Sequence, residues 1–192
     1  MNKSEAVCIF VPSDTTARSL GADLVAEAIA DEAARLGKAV NIIRNGSRGL
    51  YWLEPLVEVE VDGERHAYGP VQASDVAGLF EADVLAGGKH AKSLGPTESI
   101  PYLAAQTRLT MARVGIIDPL SLEDYRAHGG YRGLANAVRL SGREIVEAVT
   151  ESGLRGRGGA AFPTRSRAVS RGGDCAGRGT RSTGATAFQA VG

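Results

Sequence analysis

Leu56-Val-Glu-Val-Glu-Val-Asp-Gly-Glu-Arg-His-Ala-Tyr68 is the most regular stretch of this 192-residue chain. Its first half alternates apolar and polar residues with period two, the pattern of a half-buried strand. Asp62-Gly63 is a hairpin turn signal, because both central positions of such a turn favour positive φ. Arg65 to Tyr68 returns as the partner strand. The pattern puts Val57, Val59 and Val61 on the core face and leaves Glu58 and Glu60 on a solvated face rather than as a catalytic pair.

Upstream, Ala6-Val-Cys-Ile-Phe-Val11 is a continuous apolar run that Pro12-Ser13-Asp14 ends, as expected of a buried strand. Leu20, Leu24, Val25, Ala28, Ile29, Ala33 and Leu36 then form one apolar helix face, with Gly37 as the stop. Ala39 to Ile43 is a second strand, followed by the turn-rich loop Arg44-Asn-Gly-Ser-Arg-Gly49. Downstream of the hairpin, Ser74 can cap a helix over 75–86. The resulting order, β-α-β-β-β-α, is that of a small α/β layer domain.

Residues 91–117 read as a linker, with Gly95-Pro96 as a breaker and some helix after Ile100. From Asp118 the pattern is helical. Ser121 can cap 122–128, a short helix covers Leu134 to Val138, and Ser141-Gly-Arg-Glu144 is a capping box that opens a helix to Val149.

Gly153-Leu-Arg-Gly-Arg-Gly-Gly-Ala-Ala-Phe-Pro-Thr164 follows that helix. Three closely spaced glycines let the backbone approach a flat or charged ligand, and successive N–H groups can form an anion-binding nest. Arg155 and Arg157 supply forked donors suited to phosphate, and Phe162 could stack on a planar ring. The run is neither a Rossmann fingerprint nor a Walker A loop. On composition alone, a Gly/Arg-rich linker or a segment touching RNA non-specifically stays open.

Formal net charge is zero, but residues 165–192 carry five Arg and one Asp, a net of +4, so residues 1–164 carry −4. That acidic folded part, without aromatics interleaved among arginines, argues against a nucleic-acid binder. Two cysteines, Cys8 and Cys175, cannot alone ligate zinc or an iron–sulfur cluster. Cys8 reads as a small buried hydrophobe. His66, His90 and His128 lack metal-ligand spacing and read as surface residues. Tyr51 and Trp52 fit either a subunit contact or closure of the small domain's core. With no signal-peptide pattern and no membrane-length apolar run, a soluble cytoplasmic protein is expected, with no membrane segment.

The run Ser152 to Thr164 resembles the motif of the family of 51-kDa NADH dehydrogenase flavoprotein subunits. That family includes the NADH-oxidising subunit of respiratory complex I, the diaphorase subunit of NAD-reducing hydrogenases and the β subunit of NAD-dependent formate dehydrogenase. Ile9-Phe-Val-Pro12, Arg44 to Gly49, Trp52-Leu-Glu-Pro-Leu56, Gly115-Ile-Ile-Asp-Pro-Leu120 and Tyr125-Arg-Ala-His128 resemble the formate dehydrogenase β subunit in particular.

The resemblance implies a thioredoxin-like, ferredoxin-type domain over 1–90 that is cluster-free, because only Cys8 stands there. It implies a linker over 91–117 and the start of an FMN/NADH-binding domain over 118–164. Gly156, Arg157, Gly158, Gly159, Ala160, Ala161 and Phe162 would line the FMN and NAD site, with NADH passing a hydride to FMN and the flavin passing electrons singly to iron–sulfur centres. The implied partners are NAD(H) and the catalytic α and iron–sulfur γ subunits of a formate dehydrogenase complex; a non-catalytic docking module is the reading from a different class.

The family motif continues with a lysine expected to contact the flavin phosphate, where this chain has Arg165-Ser166-Arg167. Cysteine ligands for a [4Fe–4S] cluster are absent as well. Residues 165–192 contain no Leu, Ile, Lys or Glu and read as a disordered, out-of-frame tail. The expectation is a chain truncated or frameshifted after Thr164.

Overall fold

The structure is a computed structural model that describes residues 6–159 and 161–164. Expectations for Ala160 and for residues 165–192, Cys175 included, lie outside the described residues.

Five strands form one mixed sheet in the order β2-β1-β3-β4-β5. β1 (Val7–Phe10) runs parallel to β2 (Val40–Ile43), in register from Val7↔Val40 to Phe10↔Ile43. A parallel pair needs a crossover, supplied by α1 (Thr15–Ser19) and α2 (Ala22–Arg35). Asp14 caps α1 by accepting from the Thr16 and Ala17 N–H groups. Gly37, at φ 63°, ends α2 as expected.

β3 (Val57–Val61) pairs antiparallel with β1 and with β4 (Glu64–Tyr68). Asp62 and Gly63 both adopt positive φ, 52° and 80°, which closes the hairpin. The α/β fold class expected from periodicity is therefore observed, with its five-stranded sheet.

Three local expectations change. The single helix over 75–86 is two pieces, α3 (Val76–Glu81) and a 3-10 turn over Val84–Ala86, because Asp83 sits in the left-handed region at φ 57°. Ser74 does not cap it: Ser74 lies inside a 3-10 turn over Ala73–Asp75 that precedes α3 and is itself opened by the reciprocal pair Gln72 and Asp75, and α3 has no side-chain cap. The 91–117 stretch contributes the fifth strand, β5 (Ser93–Pro96), and the short helix α4 (Pro101–Ala104). Gly95-Pro96 reads as a breaker, yet β5 is an edge strand, where a missing N–H costs nothing in the ladder.

The main core lies on one face of the sheet. Ile9, Val11, Val25, Ile29, Val57, Val59, Tyr68 and Leu79 cluster there. Tyr68 is buried and donates its hydroxyl to the Gly88 carbonyl at 2.8 Å. A second cluster, Leu50, Leu56, Ala67 and Leu103, holds a smaller core. Ala67 pairs with Glu58 across the ladder. Cys8 is only half-buried, not fully buried, since β1 enters the core at Ile9.

The chain divides between His128 and Gly129 into two compact units. α5 (Leu122–Ala127), capped by Ser121, closes the first unit. The second contains α6 (Arg132–Ala137) and α7 (Gly142–Glu151). Asp118 to His128 fall in the first of these units, where Arg113 Nε donates to the His128 carbonyl at 2.8 Å.

Candidate functional site

α7 positions the glycine-rich run. Ser141 and Glu144 form the expected capping box: the Glu144 N–H donates to Ser141 Oγ at 3.3 Å, and the Ser141 N–H donates to Glu144 Oε2 at 2.7 Å. The pair satisfies orphan donors at both ends of the first turn. Gly153 leaves the helix at φ 64°.

The run then folds back on itself as a tongue. Arg155 bridges Pro163 in antiparallel fashion. The Gly156 N–H donates to the Phe162 carbonyl at 2.9 Å, and the Thr164 N–H to the Leu154 carbonyl at 3.0 Å. At the tip the Ala161 N–H donates to the Gly158 carbonyl at 3.0 Å, which holds Ala161 at φ 43°. Gly156, Arg157, Gly158, Gly159, Ala161 and Phe162 therefore share one tongue, and all are exposed.

The tongue suits one wall of a nucleotide site. A Cβ placed on Gly158 or Gly159 would meet nothing within 4 Å, so this backbone is open to an approaching ligand. Arg155, Arg157 and Phe162 project beside it, all exposed. Val149, Thr150, Gly153, Leu154, Arg155 and Pro163 line a shallow cleft at its base. These residues fit phosphate contact and ring stacking from one side. For an iron–sulfur cluster the donor set does not fit: Cys8 is the only cysteine among the described residues.

Sequence reasoning missed a dense polar constellation among the described residues. Glu58 is not on a solvated face; it is 1% exposed. Arg48 Nε and Nη2 donate to its two oxygens at 2.9 and 2.7 Å, a forked pair, and Arg48 Nη1 donates to Glu98 at 2.7 Å. Arg65 Nη1 lies 3.6 Å from Glu58. The Arg65 guanidinium also sits 3.4 Å over the Phe10 ring centroid. Period two correctly places Glu58 opposite the valines. That opposite face is covered by the 44–50 loop and the segment after β5, so the alternation marks a buried ion pair instead of water. Glu60 remains exposed as expected.

The same cluster clamps the 113–117 segment. Arg65 donates to the Gly115 and Ile116 carbonyls at 3.2 and 2.8 Å, and Asn45 Nδ2 donates to Gly115 O at 2.8 Å. Gly115 has φ 78°, and a Cβ there would run into the Arg48 side chain. Next to it, Glu54 is buried and accepts from Ser47 Oγ at 2.7 Å and the Leu56 N–H at 3.1 Å. Burial pushes its carboxyl above the ordinary glutamate range, against the lowering effect of those bonds. Burial pushes Arg65 down, whereas the Glu58 carboxylate holds Arg48 up against the same effect.

Tyr51 and Trp52 do not close the core; they are exposed. His66 and His90 are half-buried at the surface, and His128 is exposed at the C-terminal end of α5, where its ring contacts Asp124. No group of metal-ligating residues occurs among the described residues.

No family model matches the chain. It is 51% identical over 59 residues to NADP-reducing hydrogenase subunit HndC of Solidesulfovibrio fructosivorans. It is 43% identical over 68 residues to an NADH-quinone oxidoreductase subunit of Aquifex aeolicus. It is 52% identical over 44 residues to the corresponding NADH-quinone oxidoreductase subunit of Streptomyces coelicolor. These relatives are oxidoreductase subunits. The matched stretches cover 31%, 34% and 23% of this chain but only 12%, 16% and 10% of the relatives. Among solved structures, the chain is similar to two of a thioredoxin-like [2Fe-2S] ferredoxin from Aquifex aeolicus. The TM-scores are 0.40 and 0.42 at 19% and 17% identity, covering 48% and 51% of this chain and 99% and 98% of those chains. No helix among the described residues is long and apolar enough to cross a membrane.

Proposed function

We propose that this chain is the N-terminal portion of the NADH/FMN diaphorase subunit of an NAD-dependent formate dehydrogenase, working in the cytoplasm with catalytic α and iron–sulfur γ subunits. The observation that carries the reading is the Gly153–Thr164 tongue: open glycine backbone, two exposed arginines and an exposed phenylalanine directly after one capped helix. The similarity to oxidoreductase subunits supports it at the level of the reaction class. The formate assignment is supported by the Arg44–Gly49, Trp52–Leu56 and Gly115–Leu120 stretches.

When bound, the flavin supplies the hydride and electron chemistry. The chain's own residues position it. Arg155 and Arg157 offset phosphate charge with forked donors. Gly156, Gly158, Gly159 and Ala161 let a ring or a pyrophosphate lie against backbone. Phe162 covers an apolar ring face.

One wall holds a cofactor weakly, since each missing charge-assisted contact removes roughly 1.5–3 kcal/mol. The change of composition at Thr164–Arg165 belongs to the same reading, as a shift of reading frame. DNA that encodes no flavin domain in either other frame beyond that codon would overturn it.

The deciding assay uses the intact homologous complex. Formate must reduce NAD, and Arg157→Ala must raise the KM for NADH. A complex that oxidises NADH but ignores formate would favour the equivalent subunit of NADH-quinone oxidoreductase or of an NAD-reducing hydrogenase, the reading closer to the relatives.

A further inference from the structure

We propose that the face of the sheet unit formed by Tyr51, Trp52, Tyr102, Leu109 and Met111 docks a segment of a partner protein that carries apolar side chains together with a carboxylate. The inference does not depend on the flavin reading, because it concerns only residues of the first unit.

Five of the large apolar residues that this unit exposes stand at positions 51–52, 102, 109 and 111. Trp52 is 61% exposed, Tyr51 59%, Tyr102 49%, Leu109 83% and Met111 60%. Single exposed hydrophobes are ordinary, but a contiguous group of them marks an interaction surface. Trp52 and Tyr102 stack edge to face, with centroids 5.2 Å apart and planes at 89°. Beside them lies an open groove of about 420 Å³, lined by Tyr51, Leu109, Met111, Val114 and Arg108 among others.

The charge pattern selects the occupant. No Asp or Glu lines the groove. Arg48 reaches it, but its charge is matched by Glu58 and Glu98. Arg108 is different. Its guanidinium donates to Gln106 Oε1 at 3.1 Å, to the Val114 carbonyl at 3.2 Å and to the Arg48 carbonyl at 3.1 Å, all neutral acceptors. Among the described residues no carboxylate pairs with it. Its fork is thus held in place by backbone while its charge is left for a ligand, which lowers the ordering cost of a contact. Trp, Tyr and Arg are the residue types that dominate binding energy in protein interfaces. An apolar segment with a carboxylate satisfies both the rings and the cation; a basic segment would meet like charge.

The test uses the full chain and two labelled short peptides in fluorescence anisotropy. One combines Leu, Trp and Glu; its twin has Lys in place of each Glu. The Glu peptide is expected to bind with Kd below about 1 mM and at least about tenfold tighter than the Lys twin. Leu109→Glu, at a position too exposed to disturb folding, is expected to abolish that preference. Trp52→Ala, checked for folding by circular dichroism, is expected to weaken the Glu peptide by about tenfold or more. Equal affinities for the twins, no binding of the Glu peptide up to about 1 mM, or indifference to both substitutions overturns the proposal. So does concentration-dependent dimerisation that Trp52→Ala removes, which would assign the face to a second copy of this chain. None of these readouts uses flavin or NADH, so their failure is distinct from failure of the diaphorase reading.

Discussion

The two arginine-bearing loops of this chain are built in opposite ways. In the Arg44–Gly49 loop, Arg48 is buried and each of its three guanidinium nitrogens donates to Glu58 or Glu98. In the Gly153–Thr164 tongue, Arg155 and Arg157 are exposed, and the neighbouring glycines face open space. The first loop uses its charge within the fold; the second leaves it exposed. Arginine and glycine in a loop therefore do not by themselves mark a binding site. What separates the two cases is whether the chain itself provides the anion.

The comparison breaks most visibly at Glu58. Glu58→Ala leaves Arg48 buried without its partner and is expected to cost about 3–5 kcal/mol in urea unfolding. Arg48→Met combined with Glu58→Leu should recover most of that, because an apolar pair of similar volume can replace a buried ion pair. A loss below about 1 kcal/mol for Glu58→Ala would mean that the pair is no more than a surface contact.

Gly115→Ala is expected to be next, at about 1–3 kcal/mol, since φ 78° strains any Cβ and the added methyl meets Arg48. Thermal unfolding should report it. Ser141→Ala should cost about 1 kcal/mol by removing the cap of α7. Hydrogen exchange should show that loss in the second unit and leave the sheet untouched.

Glu54→Gln sharpens the comparison through pH. The Glu54 carboxyl is raised on folding, so the folded state binds its proton more tightly than the unfolded state does. Its contribution is fully present below the ordinary glutamate pKa and is lost as pH rises through the folded value. Glu54→Gln should therefore flatten the decline of stability as pH rises through that window, and should raise stability at neutral pH relative to the parent chain. A steeper decline in the variant would reverse the sign. The smallest effect on stability is expected at the tongue: Gly158→Ala should stay within about 0.5 kcal/mol. If the tongue lies against the nucleotide as proposed, the same change in the intact homologue should still impair NADH oxidation.

Much of the sheet was legible in the chain. The apolar run before Pro12, the helix face from Leu20 to Leu36, the Asp62-Gly63 turn and the Ser141–Glu144 box each carry a local physical signal, and each forms close to where it is expected. β5 was not legible, because its Gly95-Pro96 is a breaker everywhere except on an edge strand. The tongue was legible as a glycine-rich, arginine-bearing run, and its residues do come together. Its closure through Gly156 and Phe162 was not, because a hydrogen bond across six positions leaves no periodic trace.

Glu58 marks the boundary between the two kinds of information. Alternation along β3 determined which side of the strand the carboxylate occupies, since successive Cβ atoms point to opposite faces. Whether that side meets water depends on residues 44–50 and 97–117, distant in sequence, folding over it. The sequence by itself determined the strands, turns, caps and the chemistry available in the glycine-rich run, because those depend on near neighbours. Only the tertiary structure decided which charges are consumed within the fold and which stay exposed, because burial is a property of what packs on top.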